Sequence, residues 1–136
     1  MKIREAKDGD RLERGVVLIA PGGRHIQLKR RGGHYCVVIS DDPPVNRHKP
    51  SVDVLFRSVA EISSGDMLAI MLTGMGDDSA RGMKQLHDGG ARTIAQDEVS
   101  CVVFGVPKGA IKLGVVDQVM PLERVSSAIF QFDVRG

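Results

Sequence analysis

The chain has 136 residues, of which 42% are hydrophobic and 26% charged, and its formal charge is +2. This is the length and composition of one globular domain, which excludes a disordered chain, a collagen and a membrane span. With 19 Lys and Arg against 17 Asp and Glu, and aromatics limited to 1 Tyr and 4 Phe, it has neither the basic excess nor the stacking surface of a nucleic-acid binder.

The N-terminal stretch MKIREAKDGDRLERG is polar and lacks an apolar signal region, so a cytoplasmic location is expected. A short segment near Ile3 and the run VVLIAP at 16–21 read as strands. HIQL at 25–28 alternates polar and apolar, as a half-buried strand does. Gly32-Gly33 is a hairpin signal, and YCVVIS follows it. The first half therefore predicts a β-meander or a pair of hairpins. Lys29, Arg30 and Arg31 fit a solvated hairpin tip. Pro43-Pro44 ends the strand, since proline cannot donate to a ladder.

The second half alternates helix and strand. Ser51 is placed to cap a helix, and Val52, Leu55, Phe56 and Val59 share one apolar face. LAIML at 68–72 is continuously apolar, as in a strand buried on both sides. It leads into Thr73-Gly74-Met75-Gly76-Asp77-Asp78 and a helix from Ser79 to about His87, closed by Gly89-Gly90. ARTIAQ at 91–96 predicts another strand, and Pro107 suits the first turn of a short helix. A last strand is expected over Val115, Val116, Val119 and Met120, then a helix over 122–132. This alternation predicts an α/β fold with a parallel sheet. Cys36 and Cys101 each sit in an apolar stretch and read as buried free thiols.

Two segments are rich enough in polar groups to carry chemistry. The loop at 74–79 joins a buried strand to a helix, where open α/β sheets place their sites. A dinucleotide fingerprint would need glycine at position 79, where Ser79 stands. Asp77, Asp78 or Ser79 could simply cap the helix, or one carboxylate could orient a histidine. The segment PPVNRHKPSVD at 43–53 holds Asn46, Arg47, His48 and Lys49 between prolines. It reads either as a rigid surface connection or as a stiffened binding segment. The histidines His25, His34, His48 and His87 show no metal-ligand spacing, and none of the 9 serines lies in a G-x-S-x-G turn.

The segments IAPGGRH at 19–25, PPVNRHKPSVDVLFRSVAE at 43–61, LTGMGDD at 72–78 and AQDEVSCVVFGVPKGAI at 95–111 carry a resemblance. In order and spacing they resemble the C-terminal part of the catalytic domain of chemotaxis protein-glutamate methylesterases (CheB type). The resemblance implies a doubly wound, mostly parallel α/β domain with an inserted β-hairpin near the N-terminus. It also implies hydrolysis of glutamate methyl esters on methyl-accepting chemoreceptors, through a Ser-His-Asp triad and without a cofactor. Many members also deamidate receptor glutamines. Asp78 then corresponds to the triad acid, and Gly74, Met75 and Gly76 line the site. Asn46, Arg47 and His48 become the residues expected to face receptor or substrate.

The family's nucleophile lies in a Gly-Ala-Ser-Thr-Gly-Gly-like turn and its histidine in a Gln-His-Met-like turn. Neither occurs in this sequence. The resemblance places both before Met1, together with a receiver domain. Residues 1–136 are therefore expected to form a single, incomplete methylesterase domain without a receiver. Alone it is expected to be inactive or nearly so, and to self-associate or pair with the missing segment. Two alternatives remain at this level: a non-catalytic receptor-binding module, and a metal-dependent hydrolase using Asp77, Asp78 and His48.

Overall fold

In a computed structural model, residues 2–62, 67–73, 80–101 and 105–135 are described. The first strands are β1 (Lys2–Glu5) and β2 (Val16–Ile19), which pair in parallel with Ile3 opposite Val17. The expected meander is therefore wrong at this point. A chain turn of ten residues (6–15) between them lets β2 run in the same direction as β1. The hairpin is as expected: β3 (His25–Arg31) pairs antiparallel with β4 (His34–Ser40) across Gly32-Gly33. Gly32 takes φ +61°, the left-handed conformation that a two-residue hairpin turn requires. Arg30 lies over the Tyr35 ring at 5.6 Å, so the tip is a cross-strand pair as well as a charge cluster.

Helix α1 (Val52–Ile62) follows, with the Ser51 hydroxyl accepting the Val54 N–H at 3.4 Å as a cap. It packs between two apolar clusters. Leu55 faces Ala6, Ile26 and Val37 beneath the hairpin, while Phe56, Val59 and Ala60 face Met71, Met83 and Leu86. The Ser58 hydroxyl accepts the Leu28 N–H at 3.0 Å, fixing α1 across β3. Val52, expected on the buried face, is 41% exposed, and its neighbour Asp53 is fully buried instead.

The remaining strands, β5 (Leu68–Met71), β6 (Arg92–Gln96) and β7 (Gln118–Met120), form a parallel sheet in the order β5-β6-β7. Helices α2 (Ala80–Asp88), α3 (Gly105–Lys112) and α4 (Leu122–Arg135) connect or follow them. Ala69 and Met71 point into the cluster shared with α2 and Ala110 of α3. Leu68 and Ile94 line a cavity of about 320 Å³ on the α4 side, with Arg92, Asp117 and Phe132. Helices thus lie on both faces of the sheet. Leu68 and Ile70 are only half-buried because β5, among the described residues, has a strand on one side alone. Val115 and Val116 precede β7 rather than belonging to it, and Val115 packs into the core instead.

Helices α1 and α2 approach closely at Gly82. A Cβ placed there would lie 2.6 Å from the Phe56 Cβ and 3.0 Å from the Asp53 Oδ1. In an open helix Gly→Ala gains about 1 kcal/mol from propensity. Overpacking costs about 1–3 kcal/mol and here also threatens a buried hydrogen bond. Gly82→Ala is therefore expected to destabilise the fold, lowering the urea midpoint. A raised midpoint would show that α1 and α2 are not in this contact.

Candidate functional site

The carboxyl ends of β5 and β6 form one rim of the parallel sheet. Thr73 leaves β5 there, and its N–H donates to the Gln96 Oε1 at 2.9 Å. Gln96 ends β6 and is 1% exposed. Its Nε2 donates to the Ser100 carbonyl at 2.8 Å, so one buried amide ties the exit of β5 to the loop after β6. Ser100 donates its hydroxyl to Asp97 at 2.6 Å and accepts the Leu122 N–H at 3.1 Å. The Ser100 hydroxyl and its backbone N–H, which donates to the same Asp97 oxygen at 2.9 Å, hold the Asp97 carboxyl below its ordinary value. Among the described residues Ser100 is partnered by Asp97, Gln96 and Leu122, none of which is the imidazole that activates a serine nucleophile. Cys101, half-buried beside Gln96, has its thiol pushed up, first by burial and then by the Asp97 charge. A thiol so shifted stays protonated near neutrality and is no nucleophile.

On the other side of this loop, α2 begins at Ala80. Gly82 lies in its first turn, where N–H groups lack partners within the helix. The Asp53 Oδ1 accepts that N–H at 2.7 Å, from α1. A carboxyl group at a helix N-terminus is also favoured by the helix dipole. The Asp53 Oδ2 accepts the Asn46 Nδ2 at 2.6 Å.

Asn46 and Arg47 form a two-residue turn, closed by Val45 and His48 bonding backbone to backbone at 2.9 and 3.0 Å. Both have positive φ, 53° and 67°, which is uncommon for arginine and costs on the order of 1 kcal/mol or more. Asn46, Arg47 and His48 are all exposed. The turn is held from below by the Asn46 amide on Asp53 and, further along, by His25. That imidazole is 1% exposed and accepts the Ser51 N–H at Nδ1, 3.1 Å. Its Nε2 therefore carries the proton and donates to the Pro43 carbonyl at 2.9 Å. Both ring nitrogens are used, so His25 is a brace and not a metal ligand. Lys49 bonds to Asp41 at 2.8 Å and holds that carboxyl below its ordinary value. Prolines were expected to stiffen this segment; His25 and Asp53 also fix it.

The expected site residues are thus only partly placed. Asn46, Arg47 and His48 share one exposed turn. Gly74, Met75, Gly76, Asp77 and Asp78 lie outside the described residues. Sequence reasoning missed Gln96, Asp53 and the structural use of His25. A signal existed for two of them. Gln96 follows Ile94 and Ala95 at the end of β6, and Asp53 shares a helix face with Phe56 and Ala60 at i+3 and i+7. Among the described residues no three His, Cys, Asp or Glu side chains gather as a metal site. None of the described helices is long and apolar enough to cross a membrane.

A sequence model of the CheB methylesterase family matches residues 1–129. Over 129 residues the chain is 64% identical to protein-glutamate methylesterase/protein-glutamine glutaminase 2 of Dechloromonas aromatica, covering 95% of this chain and 36% of that protein. It is 59% identical to the protein of the same name from Chromobacterium violaceum, with the same coverage of 95% and 36%. The chain thus spans about a third of the length of these curated relatives. The crystal structure of the Thermotoga maritima CheB methylesterase catalytic domain superposes with a TM-score of 0.91 at 35% identity, covering 94% of this chain and 68% of that one. The α/β architecture and inserted hairpin are those expected of that domain, and the chain belongs to the CheB methylesterase family.

Proposed function

We propose that this chain supplies the acid-bearing part of a protein-glutamate methylesterase site, with Asp78 as the triad acid. One observation carries the reading: the chain leaves the carboxyl rim of the sheet at Thr73 and α2 begins at Ala80, and the sequence that joins them is GMGDDS. Ligands of open α/β sheets bind at that rim. In this reading the serine and histidine are supplied by a segment outside residues 1–136.

In this reading a serine hydroxyl attacks the γ-carbonyl of a glutamate methyl ester. A histidine takes the serine proton and returns it to the leaving methoxide, releasing methanol. Water then opens the acyl-enzyme, regenerating serine and leaving glutamate. Asp78 holds the imidazole tautomer and stabilises the imidazolium. The relatives' names pair methylesterase with glutaminase. The same acyl-enzyme formed from a glutamine amide would release ammonia. No cofactor or metal is needed. Gly74, Met75 and Gly76 line the site, and the exposed turn of Asn46, Arg47 and His48 faces the substrate. The substrates are the cytoplasmic domains of methylated chemoreceptors, and the enzyme acts in the cytoplasm.

The strand edges support an incomplete domain. Among the described residues β2 pairs with β1 alone, and β5 with β6 alone. Ile3, Val17 and Ile19 are 65%, 40% and 53% exposed on the β1–β2 ribbon. Unpaired edges and exposed apolar faces invite another strand. The segment bearing the serine and histidine is their proposed occupant.

A serine-reactive phosphonate tests this reading. The chain by itself is expected to stay unlabelled. A version extended upstream to include the serine and histidine motifs is expected to be labelled at that serine. Labelling of the short chain, at Ser100 or elsewhere, would contradict it.

A further inference from the structure

We infer that Gln96 and Asp53 are positioning residues for the esterase reaction, fixing the two stems of the segment that bears Asp78. The inference rests on the reading of Asp78 as triad acid. Residues 74–79 connect Thr73 to Ala80. On the entry side the Thr73 N–H is held by the Gln96 Oε1 at 2.9 Å. On the exit side the Gly82 N–H is held by the Asp53 Oδ1 at 2.7 Å. Neither acceptor belongs to the β5–α2 unit: Gln96 comes from β6 and Asp53 from α1. Both side chains are essentially buried, at 1% and 0% exposure.

Each anchor is itself held. The Gln96 Nε2 is committed to Ser100, at 2.8 Å to its carbonyl and 3.2 Å to its hydroxyl. The Asp53 Oδ2 takes the Asn46 amide at 2.6 Å. A side chain fixed at both ends of its hydrogen-bonding capacity cannot follow a drifting backbone. The stems of the loop are therefore set by elements that do not carry the triad acid. Reaction rate is steep in this placement, because a shift of about 1 Å at a catalytic group can cost about a hundredfold. Asp53 also links the exposed Asn46–Arg47 turn to the first turn of α2, so the proposed substrate-facing turn and the acid-bearing loop share one buried anchor.

The test uses the protein extended upstream with the serine and histidine motifs, methylated receptor as substrate, and methanol as readout. Gln96→Met keeps the side-chain volume and removes the hydrogen bonds to Thr73 and Ser100. Asp53→Ala removes both acceptors, and Asp53→Asn keeps one acceptor for Gly82. Folded fraction is measured beside activity, and kcat is expressed per folded molecule. Expected are a loss of at least tenfold in kcat for Gln96→Met with KM within twofold, a loss of at least tenfold in kcat for Asp53→Ala with KM also raised because the Asn46 turn loses its anchor, and recovery of most of kcat in Asp53→Asn. The rate of phosphonate labelling falls in parallel. A merely structural role would lower the folded fraction and leave kcat per folded molecule unchanged, which overturns the inference. Should Asp53→Ala fail to fold, Gln96→Met carries the test alone. Asp78→Asn is run beside them. If it abolishes turnover while Gln96→Met and Asp53→Ala stay within twofold of the parent, the positioning role alone is wrong. If Asp78→Asn is fully active, the triad reading beneath it fails as well.

Discussion

Replacing Asp78 with Asn in the extended enzyme is expected to lower turnover about ten-thousand-fold, with little change in KM. The residue is the second carboxylate of TGMGDD, at the loop between β5 and α2. An asparagine there keeps the shape but offers its partner a different hydrogen-bonding pattern, so the imidazole is held in the wrong tautomer. The substitution also separates two roles that the sequence leaves open. Asparagine caps a helix about as well as aspartate does. A residue that only caps α2 would therefore tolerate Asn with stability and turnover both intact. Asp77→Asn serves as the control, expected to retain most of the activity. Comparable losses at both positions would move the acid assignment away from Asp78 alone.

What could be read from the sequence follows how local each determinant is. The Ser51 cap and the Phe56 and Val59 face of α1 are set within one helix, and they are found as expected. The hairpin tip at Gly32-Gly33 is equally local. The parallel pairing of β1 with β2 is not local, because two strands of 4 residues carry no mark of their relative direction. By position Asp53 is an ordinary first-turn acid of α1. Its burial depends on α2 arriving at Gly82, some thirty positions later in the chain. The bracing role of His25 is likewise non-local, since the Ser51 N–H and the Pro43 carbonyl that occupy its two nitrogens lie 26 and 18 residues away in the chain. The proposed site loop at 74–78 rests on its residue types and its place after an apolar strand, and it lies outside the described residues. Its supports were not legible in the sequence, since Gln96 and Asp53 act across elements.

The most direct measurement is methanol release from methylated chemoreceptor by residues 1–136 alone, beside the chain extended to include the serine and histidine motifs. In the proposed triad Asp78 orients the histidine and stabilises its imidazolium, but attacks nothing. Loss of a triad serine or histidine costs on the order of a million-fold in turnover. The short chain should therefore give no methanol above the uncatalysed blank, while the extended chain turns over steadily. Turnover by the short chain at a rate near that of the extended one would contradict the assignment of Asp78 to a divided triad. It would place the reacting groups within residues 1–136 instead.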